Sequence, residues 1–241
     1  MIKVLRRDQR PFFLLTTIYW LFLSVLLLIE GYRGSFLLLN GLHRPWLDYP
    51  MFILTHLGDA LILTSLLALL LTRARPDLVL LLIITVVITG LFGQLLKNTI
   101  FDGWDRPLRV FAETGGVHTV AGYKMYHNAF PSGHSIVAAA AITTLVLNLP
   151  YSRGFRFFMG LAVIIISYTR IYTGVHFAGD VLAGTVIGVA GAILISAWLA
   201  ESLKKRTEAL TVNRARRMRW WLWGIALFSF AAGVALVVDM L

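Results

Sequence analysis

Residues 78–96 read LVLLLIITVVITGLFGQLL, nineteen positions without a charged side chain, and Lys97 follows at once. A helix rising 1.5 Å per residue needs roughly 20 such residues to cross a hydrocarbon core about 30 Å thick, so this stretch is read as a membrane span ending in a cation. Working outward, comparable apolar runs occupy 12–30, 50–72, 134–149, 155–173, 177–199 and 220–238. The expectation is an all-α, polytopic transmembrane helical bundle of six or seven spans, the last depending on whether 220–238 crosses or lies flat. No repeat of fixed period is present, so residues 1–241 are read as a single membrane domain. Within it, 50–200 forms the core and 201–241 a basic segment plus an extra C-terminal span.

Composition agrees with this reading. Of the 241 residues, 58% are hydrophobic and only 14% charged, which does not describe a soluble surface. The net charge of +10 comes from short basic blocks between the apolar runs, not from one basic face, so membrane lipids and not nucleic acid are the expected partner. The basic run from Lys204 to Arg219 stops against Trp220, Trp221 and Trp223, a pattern suited to lipid headgroups. The chain has no cysteine, which excludes disulfides, thiolate catalysis and cysteine-based metal sites. Met1–Arg10 followed by an apolar stretch imitates a signal peptide, but no small-residue cleavage site precedes Glu30, and a retained first span is expected.

Alternating the connections between two sides puts 15 of the 22 Lys and Arg on the side of 1–11, 73–77, 150–156 and 200–219. Basic residues are retained in the cytoplasm, so the long 97–133 loop and the turn at His176 are expected to face outward, from a bacterial inner or plasma membrane. The segment Phe36–Trp46, rich in leucine beside Arg44, suits either an interfacial helix or a greasy loop packed on the bundle.

Three polar clusters break the apolar pattern, and all fall on that outer side: Lys97 with Asp105-Arg106-Pro107; Pro131-Ser132-Gly133-His134; and Arg170 with His176 and Asp180. Ionisable groups at membrane depth are costly unless they face water, a partner or a substrate. Lys97, Arg106 and Arg170 supply three positive charges suited to phosphate oxygens. Ser132 suits a helix cap, and Gly133 lets backbone amides at the helix start approach an anion. A carboxylate at Asp180 fixes the tautomer of His176 and leaves the other ring nitrogen free to attack. Zinc held by two histidines and a carboxylate is the competing reading, opposed by the three cations. A transporter would explain the spans and cations but not the grouping of His176, Asp180 and His134. His56 and Asp59 either line the same cavity or pair with each other, and His118, Lys124, Tyr126 and His127 precede the second cluster.

These residues resemble the type 2 phosphatidic acid phosphatase superfamily, whose signature is Lys-x6-Arg-Pro, Pro-Ser-Gly-His and Ser-Arg-x5-His-x3-Asp. Here the second element is intact, Thr169 replaces the serine of the third, and the first is Lys97-x8-Arg106-Pro107, two residues longer. The resemblance covers about 50–200. It implies hydrolysis of a lipid phosphomonoester or pyrophosphate through a phosphohistidine, or transfer of the phosphoryl group to another acceptor. His176 would be the nucleophile held by Asp180, and His134 the acid. Lys97, Arg106, Arg170, Ser132 and Gly133 would bind phosphate, and no metal or other cofactor is implied.

Overall fold

The computed structural model describes residues 7–120, 122 and 124–238, so Lys3 and Arg6 of the charge count lie outside the described residues. A 3-10 turn, Arg7–Gln9, leads into α1 (Arg10–Asn40), α2 (Pro45–His56), α3 (Ala60–Leu71), α4 (Pro76–Asn98) and the short α5 (Pro107–Val110). Then follow α6 (Gly133–Asn148), α7 (Arg153–Tyr172), α8 (Ala178–Glu208) and α9 (Val212–Val238). Among the described residues there is no strand. In lipid each backbone amide must be satisfied within its own segment, which is why the apolar runs become helices. Among the described residues five helices are long and apolar enough to cross, the bent pair α2 and α3 counts as a sixth if it is taken as one span, and α6 is a shorter apolar helix.

The core is built around α6, whose residues Ser135 to Val146 are all buried. It packs against α4, α7 and α8. Ala138–Ala141 keep its surface narrow, and α8 meets it through Gly184 and Gly188, one turn apart. A Cβ at Gly188 would lie 2.5 Å from the Ile136 carbonyl oxygen, and one at Gly184 would lie 2.6 Å from that of Ser132. Such small-residue seams let helix backbones approach where apolar burial alone gives no preference for protein over lipid. Threonines in this interior fold their hydroxyls back on their own helices: Thr85 donates to the Leu81 carbonyl at 2.8 Å and Thr144 to that of Ala140 at 2.8 Å. At the far end Arg156, 1% exposed, pairs with Asp8 and donates to the Leu149 carbonyl at 3.0 Å.

Two local expectations change. The 50–72 run is not one straight span: α2 and α3 bend by 70°. Asp59 breaks the helix by adopting an extended conformation and accepting from the amides of Leu61 and Ile62 at 2.8 and 3.1 Å, a cap that an apolar count does not register. The first span ends where expected, at a break at Gly31 where φ is +69° and ψ −176°, and a second helical stretch then runs on to Asn40. Phe36–Trp46 is therefore the end of α1, a turn and the start of α2. Phe36 and Leu39 are buried on the bundle, while Leu37, Leu38 and Trp46 are exposed. The basic 200–219 stretch is mostly helical, divided between α8 and α9.

Candidate active site

Four helix ends meet at one end of the bundle: the C-termini of α4 and α7, and the N-termini of α6 and α8. The α7–α8 connection, Thr173–Phe177, is tight because Gly174 takes φ +75° against the His118 carbonyl oxygen, 2.5 Å from where a Cβ would sit. Its Val175 and His176 amides both donate to the Arg170 carbonyl, at 3.2 and 3.1 Å. That turn delivers His176, 2% exposed, beside Asp180, which is fully buried.

The two residues do not share one helix face. The helix starts only at Ala178, so His176 precedes it and Asp180 occupies its first turn. Asp180 Oδ2 accepts from the Phe177 amide at 2.9 Å and lies 3.2 Å from His176 Nδ1. Its other oxygen, Oδ1, accepts from the Tyr32 hydroxyl. With Nδ1–H turned to the carboxylate, Nε2 keeps its lone pair. His176 sits in a connection outside the spanning helices. Burial first, then the charges of Arg106, Arg170 and Lys97, hold its imidazole well below the usual histidine value, so it is neutral at pH 7.

The cations are buried around it: Lys97 is 8% exposed, Arg106 6% and Arg170 3%. Lys97 ends α4 and is close enough to Arg106, Arg170 and Asp180 to interact with each electrostatically. It does not extend to the surface. Arg106 is locked by its surroundings, its Nε donating to the His127 carbonyl at 2.7 Å and its terminal nitrogens to those of Val175 and Asn128 at 3.3 Å. Arg170 donates to the Thr55 hydroxyl at 2.5 Å. Holding three buried cations together is unfavourable without an anion, and one carboxylate does not balance them.

Ser132 caps α6, though its bond from the Ser135 amide is long at 3.5 Å; the Ser135 hydroxyl donates to it at 3.0 Å. The Ser132 amide donates to the Asp180 carbonyl at 3.0 Å, so the starts of α6 and α8 are tied together. Gly133 and His134, partly exposed, open α6. His134 is coupled electrostatically to Arg170, His56, Arg106 and Lys97. All eight site residues named from the sequence thus converge.

Other side chains are placed by the structure alone. Tyr32 reaches Asp180 because of the break at Gly31, and Thr55 holds Arg170 because α2 ends there. A tyrosine and a threonine near span ends carry no signal in an apolar sequence. Of the two readings for His56 and Asp59, Asp59 serves as the cap of α3, while His56 interacts with Arg170 as well as Asp59. His118 is held in place: its Nε2 lies 2.9 Å from Asp48, and its ring stacks on His43 with centroids 4.0 Å apart. His127 pairs with Asp105 at 2.8 Å, and Lys124 and Tyr126 are exposed. Among the described residues no group of three or more His, Asp or Glu is arranged to hold a metal ion.

Comparison with known proteins finds relatives of this chain and of its fold. A family model described as the PAP2 superfamily matches residues 49–204, which contain the eight convergent residues but neither Tyr32 nor α9. The chain is 25% identical over 217 residues to lipid A 4'-phosphatase of Porphyromonas gingivalis, covering 84% of this chain and 89% of that protein. It is 29% identical over 163 residues to phosphatidylglycerophosphatase B of Bacillus subtilis, covering 61% and 73%. The crystal structure of Aquifex aeolicus LpxE superposes with a TM-score of 0.60 at 28% identity, covering 68% of this chain and 93% of that one.

Proposed function

Since this chain belongs to the PAP2 superfamily, we propose that it is an integral membrane lipid phosphatase that hydrolyses a phosphomonoester or pyrophosphate through a phosphohistidine at His176. One observation carries this reading: the His176–Asp180 pair, joined at 3.2 Å, lies among the buried Lys97, Arg106 and Arg170 at the starts of two helices. The cations and the α6 amides hold the phosphoryl oxygens, and positioning with charge stabilisation is most of what phosphoryl transfer asks of a protein. His176 Nε2 attacks phosphorus, the bond to the leaving oxygen breaks, and His134 gives that oxygen its proton. Water then attacks the phosphohistidine, passing a proton to His134 and releasing inorganic phosphate and His176. Asp180 stabilises the imidazolium character that develops, and Tyr32 with the Phe177 amide keeps Asp180 in place. The acyl or prenyl part of the substrate stays in the bilayer beside the site, and no metal takes part.

The test is phosphate release by the purified protein in detergent from phosphatidylglycerol phosphate, phosphatidic acid, an isoprenyl pyrophosphate and lipid A. Release from at least one, unaffected by chelators and inhibited by vanadate, is the expected result. No release from any lipid phosphate would overturn the reading, and chelator inhibition reversed by zinc would overturn its metal-free part.

The same proposal places the site on the outer face, because the opposite end of the bundle carries most of the Lys and Arg. In this cysteine-free chain, Thr114→Cys and Ala209→Cys put single thiols at exposed positions in the long loop and the α8–α9 connection. An impermeant thiol reagent added to intact cells is expected to label the first and not the second; the reverse pattern would invert the topology.

A further inference from the structure

The end of the bundle opposite the candidate active site holds a cavity of about 860 Å³, formed where the α3–α4 connection, the last turns of α8 and the first turns of α9 meet. Its charges do not cancel. Arg75 is bound to Asp77 at 2.7 Å, and Lys204 lies 4.0 Å from Glu208. Arg73, Arg216 and Arg219 also line it, and among the described residues none of these three has an ion-pair partner. Trp220 and Trp223 also line it, and indoles favour headgroup depth.

A second opening lies further along α9. An apolar crevice of about 200 Å³ runs between α3, α4 and α9, lined by Ala68, Ile83, Val87, Ile225 and Ala226. Along α9, Ile225 follows Trp220 by five residues, about 7.5 Å of helical rise, so the crevice lies within a phospholipid's reach of the cavity. Helix α9 rests on α3 and α4 through Leu222 and Ala226 against Ala68 and Val79, and the crevice flanks that seam. An anion-binding head beside an apolar groove has the chemistry of a phospholipid, and a soluble anion would leave the groove unused.

We propose that the cavity and crevice together bind one anionic phospholipid of the leaflet opposite the phosphate site. Its phosphate lies among Arg73, Arg216 and Arg219, and an acyl chain runs along the crevice between α4 and α9. The lipid is not a substrate here. The α4 helix separates the two sites by its full length, and α9 lies outside the residues that the family model matches. Bridging the α3–α4 connection to α9, the lipid fastens the C-terminal helix to the bundle.

The full-length protein in detergent is tested by thermal unfolding and native mass spectrometry with dioleoyl phosphatidylglycerol, dioleoyl phosphatidylcholine or inorganic phosphate. Phosphatidylglycerol near 100 times its Kd is expected to raise the midpoint by about 5 °C and to leave one retained lipid per chain, the other two additives moving it by less than about 1 °C. The triple variant Arg73→Gln, Arg216→Gln, Arg219→Gln loses the shift and the retained lipid but hydrolyses detergent-dispersed substrate like wild type. Val87→Trp fills the half-exposed mouth of the crevice and is expected to halve the shift or more. Equal shifts in wild type and triple variant, or equal shifts from phosphatidylcholine, overturn the site. A full shift from inorganic phosphate alone leaves an anion site without a lipid and overturns it too. Retention lost with Lys97→Ala but kept in the triple variant would place the lipid at the opposite end.

Discussion

Replacement of His176 by alanine is expected to lower phosphate release by about 10⁴-fold or more, since removing a nucleophile leaves only the acceleration that binding and charge stabilisation supply. The fold should survive. Without the imidazole, Asp180 keeps the Phe177 amide at 2.9 Å and the Tyr32 hydroxyl, so no buried carboxylate is stranded without donors. Thermal unfolding of the variant within a few degrees of wild type separates a chemical defect from a folding one. A covalent phosphate trapped by acid-free quenching should appear on the wild-type chain and be absent from the variant. Turnover of His176→Ala within about tenfold of wild type would remove the nucleophile from this mechanism, because a loss that small is within the range of ordinary positioning effects.

The parts of this site that were legible in the sequence share one property. Lys97, Arg106, Arg170, His134, His176 and Asp180 are ionisable residues set against an apolar background, where each is expensive and therefore conspicuous. The residues that support them have no such contrast. Tyr32 at the end of a span reads as an ordinary interfacial aromatic, and its reach to Asp180 depends on a backbone break at Gly31 that periodicity does not register. Thr55 holds Arg170 only because the chain bends by 70° just after it. A straight span over 50–72 satisfies hydropathy equally well; what decides against it is one capping carboxylate, Asp59. Long apolar helices are thus fixed by solvent chemistry alone, whereas bends and the contacts they create depend on which single polar group finds a local partner.

The two surplus residues of the first motif make Lys97 the sharpest remaining question. The structure gives residues 98–105 a place of their own. Phe101 donates its amide to the Leu96 carbonyl at 3.0 Å, closing α4 immediately around Lys97. The Phe101 and Trp104 rings then pack on Phe130, with centroids 4.3 and 5.3 Å away, and Trp104 also meets Tyr32 at 6.0 Å. The longer segment is therefore an aromatic cover joining the first and second motifs, and it leaves Lys97 buried near the other cations. Lys97→Ala is expected to lower kcat/KM by about 10²–10³-fold, the loss typical of one preorganised group facing developing charge. Because this removes one of three mutually repelling buried cations, the apo protein should be no less stable. Deleting Asp102 and Gly103, both exposed, shortens the motif to the family spacing and spares the aromatic rings. That deletion is expected to cost less than about tenfold, within the reach of small positioning changes. Kinetics on one lipid phosphate with both variants decide the matter. A Lys97→Ala enzyme with wild-type kinetics would show that Arg106 and Arg170 suffice, and a deletion more damaging than the lysine loss would show that the aromatic cover, not the cation, makes the first motif work.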